Sequence, residues 1–91
     1  MNKAELIKSV ARKTGLTGKQ ASAAVDAVLE TIRESVAGGE KVYLTGFGTF
    51  EKRARSARTG RNPQTKEAIH LPARSVPTFR PGKKFRDNVK L

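Results

Sequence analysis

Cysteine is absent from the sequence, so the chain has neither a disulfide framework nor thiolate chemistry. Histidine occurs once, at His70, with no second ligand or nucleophile beside it, which leaves no basis for a metal site or for histidine-dependent catalysis. There is no glycine-rich phosphate loop, and no pair of carboxylates is placed together as acid and base. The expectation is a protein that is not an enzyme and needs no cofactor or metal. No apolar run approaches the ~18 residues needed to span a bilayer. The opening MNKAELIKSV lacks the apolar core of a secretory signal, so a cytoplasmic protein is expected. No internal repeat is evident. Acids are scarce in the second half, since six of the eight lie before Lys52.

What the sequence does have is positive charge. Nineteen Lys and Arg give a formal net charge of +11 on 91 residues, a length that suits one small domain. Residues 1–51 carry +1, residues 52–74 carry +6 and residues 75–91 carry +4. This balance favours a polyanionic partner, nucleic acid before anionic membrane. Membrane is the weaker choice because the cationic part reads as extended chain and not as an amphipathic helix.

From Lys52 the chain runs KRARSARTGRNPQTKEAIHLPAR. Lys52, Arg53, Arg55 and Arg58 alternate with Ala54, Ser56 and Ala57, and no large apolar residue follows Phe50 until Ile69. A strand normally offers one apolar face with period two. This one offers none, so it is expected to leave the globular body at about Arg53. Thr59-Gly60 and Asn62-Pro63 supply turn chemistry at a tip, and the chain returns through Ile69, Leu71 and Val76. A projecting cationic ribbon with a proline near its tip is suited to lie along a polyanion, as a DNA-grasping arm.

The rest follows from local signals. Asn2 with Glu5 is a capping-box pattern opening a helix over about Lys3–Thr14, with Leu6, Ile7, Val10 and Ala11 on its apolar face and Gly15 closing it. Thr17 with Gln20 repeats the pattern, and Ala21, Ala24, Val25, Val28, Leu29, Ile32 and Val36 keep the helical period up to Gly38-Gly39. The exposed side of this second helix carries Asp26, Glu30 and Glu34, which phosphates repel, so packing and not groove insertion is its expected role. A strand over 41–45, a tight Gly46-Phe47-Gly48 turn and a second strand from Thr49-Phe50 into the arm come next. The third strand returns through Val76, Thr78 and Phe79, with Pro72 and Pro77 restricting it to edge-like or interrupted pairing. Pro81-Gly82 leads into a short helix over 83–90, with Phe85 and Val89 one turn apart. The order is ααβββα, an α+β fold.

Outside the arm only about seventy residues remain, many of the apolar ones alanine, which is marginal for one core. Phe47, Phe50 and Phe79 fall on a small sheet that two helices can cover on one side only. Burying one phenylalanine is worth roughly 1.5–3 kcal/mol, so a second copy of the chain is expected to cover them. The expectation is an obligate homodimer whose core includes Phe47, Phe50, Phe79, Leu44, Val28, Leu29 and Ile32. Two subunits would bring two arms to one duplex.

The run Gly46-Phe47-Gly48-Thr49-Phe50, then Arg55, Arg58, Gly60 and Arg61-Asn62-Pro63-Gln64-Thr65, resembles the signature of the bacterial histone-like HU/IHF family. The likeness extends from Met1-Asn2-Lys3 to Val76-Pro77 and Pro81-Gly82-Lys83. It implies an intertwined homodimer with a helical base, a saddle of sheet and two protruding β-arms. It also implies minor-groove binding, with the proline matching Pro63 wedged between base pairs to kink the duplex. On this reading residues 1–40 form the dimerising helical region, 41–52 and 75–82 the sheet body, 53–74 the arm and 83–91 the last helix. The sequence departs from the family pattern in two places: Lys66 stands where glycine usually follows the threonine, and Gly18 replaces a usual lysine.

The expected DNA-binding residues are Lys3, Arg53, Arg55, Arg58, Arg61, Asn62, Pro63, Gln64, Lys66, Arg74, Arg80, Lys83, Lys84 and Arg86. The four arm arginines are expected along both edges of the ribbon, where guanidinium forks suit phosphate oxygens. Arg61 and Asn62 flank the wedge and are within reach of minor-groove edges. At ~3.3 Å per residue the stretch from Arg53 to Asn62 reaches roughly 33 Å, enough to pass around a duplex. The amides near Gly82-Lys83 are further candidates for phosphate. The implied function is a nucleoid-associated protein that binds, bends and condenses duplex DNA, intact or distorted, largely without sequence preference. A paralogue is a possible heterodimer partner. A sequence-specific bending factor of the same fold, or an RNA-binding protein with its phenylalanines as stacking platforms, is the alternative.

Overall fold

The computed structural model describes residues 1–91. The chain divides into two compact units, Met1–Glu34 and Ser35–Leu91. In the first, helix α1 (Lys3–Thr14) opens where the Asn2 side chain accepts from the Glu5 amide at 2.9 Å. It closes on Gly15, whose φ of 76° is left-handed and whose N–H donates to the Ala11 carbonyl. Helix α2 (Gly18–Ala37) opens on a reciprocal capping box. The Gln20 amide donates to Thr17 Oγ1 at 3.1 Å, and the Thr17 amide donates to Gln20 Oε1 at 3.0 Å. Gly18 is the first residue of this helix and not an interior one, so its low helix propensity matters little there.

The end of α2 belongs to the second unit and is a Schellman motif. Gly39 donates to the Val36 carbonyl and Glu40 to the Ser35 carbonyl, both at 2.9 Å, with Gly39 at φ 89°. Three antiparallel strands follow in the order β1-β2-β5: β1 (Val42–Leu44), β2 (Gly48–Arg55) and β5 (Arg74–Pro81). The β1–β2 connection is a three-residue loop closed by the Phe47 amide on the Leu44 carbonyl, with Gly46 at φ 81°. At Gly48 an added Cβ would lie 2.6 Å from the Arg80 carbonyl oxygen and 2.6 Å from the Phe79 ring, so close packing excludes any side chain.

Where three strands were expected, the structure has five. Strands β3 (Arg58–Arg61) and β4 (Ala68–Leu71) form a separate two-stranded ladder. The break falls at Ser56 and Ala57 on the outgoing side and at Pro72 and Ala73 on the return. Pro72 has no N–H to donate, so the ladder is interrupted there. Pro77 is accommodated instead, opposite Lys52 on β5, an edge strand whose outer side makes no ladder bonds.

Helix α3 (Lys83–Asn88) is shorter than the expected 83–90. Its last turn tightens as Val89 donates to the Arg86 carbonyl and Lys90 to the Asp87 carbonyl, so Val89 is a cap residue exposed to solvent and not a second apolar anchor. Phe85 alone packs inward. Its ring centroid lies 5.2 Å from Phe47, which sits 5.4 Å from Phe79, and Phe79 lies 4.7 Å from Phe50. The four rings make one apolar cluster. It is incompletely covered, since Phe47 is 45% exposed and Phe79 37%.

Candidate nucleic-acid interface

Strand register assigns each cation to a face, which sequence alone did not. In the β2–β5 ladder Glu51 opposes Thr78, Arg53 opposes Val76 and Arg55 opposes Arg74, while Thr49 opposes Arg80. With period two, Arg53, Arg55, Arg74 and Arg80 therefore share one face. Lys52 lies on the other, with Phe50, Phe79 and Pro77. Its Nζ donates to the Ala37 carbonyl at 3.1 Å, a favourable place for a cation at the C-terminal end of α2. Lys52 is thus a body residue, although its charge was counted with the arm.

The arm arginines do not form one row. In the β3–β4 ladder Arg58 opposes Leu71 and Arg61 opposes Ala68. Arg58 and Arg61 are three residues apart, so they occupy opposite faces of this ladder. Where the two ladders meet, Arg55, Arg58 and Arg74 line a concave space of about 590 Å³ with Ser56, Leu71 and Pro72. Directly opposed like charges such as Arg55 and Arg74 destabilise a strand pair. An anion bridging them would relieve the repulsion.

The tip is built around Asn62. Its Oδ1 accepts from the Gln64 amide at 2.9 Å and the Thr65 amide at 3.4 Å. Its own N–H donates to the Glu67 carbonyl, and its carbonyl accepts from Lys66 at 2.7 Å. The expected reach of Asn62 toward base edges is narrowed accordingly: Oδ1 is committed to the turn, and only Nδ2 is left. What the turn presents outward is Pro63, exposed, with Gln64, Thr65 and Lys66 exposed beside it. Lys66 has φ 61°, the one non-glycine residue in the left-handed region. His70 lies opposite Thr59 in the ladder.

Several expected DNA-contacting cations are already paired. Lys3 meets Asp26 at 2.7 Å, Lys83 meets Asp87 at 3.7 Å, and Arg53 and Arg80 both meet Glu51. Arg55, Arg58, Arg61, Lys66, Arg74, Lys84 and Arg86 make no ion pair. The Gly82 amide, expected to face phosphate, instead donates to the Phe47 carbonyl at 2.8 Å. Sequence reading overlooked Glu51. The available signal was its two-residue spacing from Arg53, but its link to Arg80 depends on a register that only the folded sheet supplies. Of the residues expected in a dimer core, Ile32 and Phe50 are half-buried, whereas Val28, Leu29, Leu44, Phe47 and Phe79 are exposed in the single chain.

Residues 1–90 match the family described as bacterial DNA-binding protein. The chain is 57% identical over 89 residues to DNA-binding protein HU of Clostridium pasteurianum, covering 98% of each chain. It is 56% identical over 90 residues to DNA-binding protein HU of Geobacillus stearothermophilus, covering 99% of this chain and 100% of the relative. Among solved structures it is similar to Anabaena HU in a cocrystal with DNA, with TM-score 0.90 and 55% identity over 98% of this chain and 97% of the other. It is also similar to HU from Thermotoga maritima, with TM-score 0.70 and 38% identity over 99% and 100% of the two chains.

Proposed function

The chain belongs to the bacterial DNA-binding protein family, and on that premise we propose that it is a histone-like architectural protein. It binds duplex DNA largely without sequence preference, enters the minor groove, and bends and compacts the duplex. The observation that carries this reading is the arm: arginines without acid partners on both faces of a two-stranded ribbon, ending in a turn that Asn62 fixes so that Pro63 faces outward. The cations supply attraction to phosphate that is blind to sequence. The exposed proline ring supplies an apolar surface of the kind that minor-groove architectural proteins insert between base steps. The role is binding and not catalysis, and the place of action is the nucleoid.

The functional unit of the proposal is a homodimer. Val28 at 55% exposure, Phe47 at 45% and Phe79 at 37% are apolar groups that a second copy would cover. A closely related paralogue presenting the same residues would be accepted in its place. The test measures affinity at fixed salt for a panel of unrelated duplexes and for structured RNA, with sedimentation in parallel. Similar affinities across the duplexes, weaker RNA binding and a dimeric mass are expected. Binding confined to one duplex sequence would replace this reading with a site-specific bending factor.

A further inference from the structure

We propose that Glu51 is a positioning residue for DNA, a buried acid set into the basic face of the sheet that holds Arg53 and Arg80 where they meet phosphate. The inference rests on the DNA-binding reading above. Glu51 is only 7% exposed, and it is the sole charged side chain buried in the chain. Three cations from three different strands or strand ends converge on it. Oε1 takes Arg80 Nε at 3.2 Å and Arg53 at 3.6 Å, and Oε2 takes Lys41 Nζ at 3.6 Å.

The geometry follows from the ladders. Arg53 is the next residue along β2 on the same face. Arg80 is the diagonal neighbour across β5, since Thr49 opposes Arg80 and Glu51 opposes Thr78. Lys41 immediately precedes β1, one residue before Val42, which pairs with Phe50, and its Nζ reaches the neighbouring Glu51 from there.

Two physical consequences matter for DNA. Three cations around one point repel each other, and without the acid they would splay apart. With it, each is held by ionic attraction to the carboxylate, Arg80 most closely. An arginine has five N–H donors in a rigid fork, so engagement on one side leaves others directed at solvent. The side chains of Lys41, Arg53 and Arg80 are 68%, 56% and 58% exposed, so the tether does not bury them. Ordering these flexible side chains beforehand removes part of the entropy cost of binding. The local sum of three cations and one acid remains positive, so phosphate is still attracted.

This proposal predicts an effect opposite in sign to that of charge alone. Removing an acid from a DNA-binding surface should tighten binding if only net charge counts. If Glu51 positions Arg53 and Arg80, removing it weakens binding. The experiment compares the full-length parent chain, Glu51→Gln, the Arg53→Ala/Arg80→Ala double variant and the triple variant. Each is checked for folding by circular dichroism and titrated with a duplex of mixed sequence at fixed salt.

Glu51→Gln is expected to lower affinity by roughly tenfold, the scale of coupling within one ion-pair network, and to have little further effect in the background lacking both arginines. Unchanged or tighter binding by Glu51→Gln would overturn the proposal. So would an equal loss in the background lacking Arg53 and Arg80, which would mean that Glu51 acts through the fold. Should Glu51→Gln fail to fold, Glu51→Asp carries the test. It keeps the charge on a shorter stem that cannot reach all three partners, so a partial loss is expected and undiminished affinity refutes the idea. A parent chain that does not bind duplex DNA would refute the functional reading instead.

Discussion

Lys66 holds a backbone conformation that suits glycine, and replacing it separates the mechanics of the arm tip from its charge. Its φ of 61° places it in the left-handed region, which costs a residue with a Cβ roughly 1–2 kcal/mol. Lys66→Gly removes that strain but gives the open tip more freedom to lose, worth about 0.4–1 kcal/mol in the other direction. The net expectation is a tip more stable by about 0.5–1 kcal/mol, a two- to fivefold lower population of the open turn. The turn is closed by Lys66 donating to the Asn62 carbonyl and Asn62 donating to the Glu67 carbonyl, so these two amides report its opening. Hydrogen exchange at positions 62 and 66 should slow by that factor in Lys66→Gly. Lys66→Ala is the control, because it loses the same charge and keeps the strain. Both variants should flatten the log–log salt dependence of DNA binding by up to ~0.9, one phosphate's worth, if Lys66 contacts the backbone. Equal exchange rates in the glycine and alanine variants would show that strain at Lys66 does not limit the tip.

Pro63→Ala should reduce bending in a fluorescence-transfer assay and narrow the preference for gapped over intact duplex, with the salt slope nearly unchanged; bending as sharp as the parent's would make Pro63 a turn residue only. Phe47→Ala should destabilise the protein by roughly 3–5 kcal/mol, the range for a fully buried phenylalanine, although the ring is 45% exposed in one chain, because in the proposed homodimer a second copy would complete its burial. Thermal melting that depends on protein concentration in the parent checks the premise, and a melting temperature independent of concentration would contradict it.

The parts of this fold legible in the sequence are those that local chemistry decides. Asn2, Gly15, the Thr17 and Gln20 pair and Gly39 cap their helices as their spacing implies, because each cap involves residues within five positions of each other. Pro72 announced an interruption in the returning strand, although not that the ladder would part into two. What the sequence withheld depends on register. Arg53 and Arg80 could be counted as positive but not placed on one face beside Glu51, and Lys52 could be counted as positive but not placed on Ala37. Asn62 was read as a groove-facing amide because its four tip contacts exist only once the turn closes. The length of α3 was overestimated because Val89 continues an apolar spacing that six helical residues are too few to use.

The acids of this basic protein fall into two classes, and the difference yields a last prediction. Lys3 is held by Asp26 at 2.7 Å, but the two side chains are 59% and 53% exposed. A surface pair of this kind is worth ~0–1 kcal/mol, and an acid displaced from it returns to water. Phosphate can therefore take Lys3 by exchange, and Asp26 acts as a competitor. Glu51 cannot be displaced in this way, because an unpaired buried carboxylate would cost roughly 3–5 kcal/mol. On the proposed reading, phosphate would approach Arg53 and Arg80 from the side that Glu51 leaves open. The arm cations Arg55, Arg58, Arg61 and Arg74 have no acid to exchange, so on the same reading they would be the least-hindered first contacts. Neutralising the two kinds of acid should then have opposite consequences. Asp26→Asn frees Lys3 and is expected to tighten DNA binding a few-fold and to steepen its salt dependence, as one more cation becomes available. Glu51→Gln, with the same change in charge, is expected to weaken it. Measured side by side on one duplex at one salt concentration, tighter binding by both variants would show that net charge alone governs this surface, and weaker binding by Asp26→Asn would show that Asp26 does not compete for Lys3.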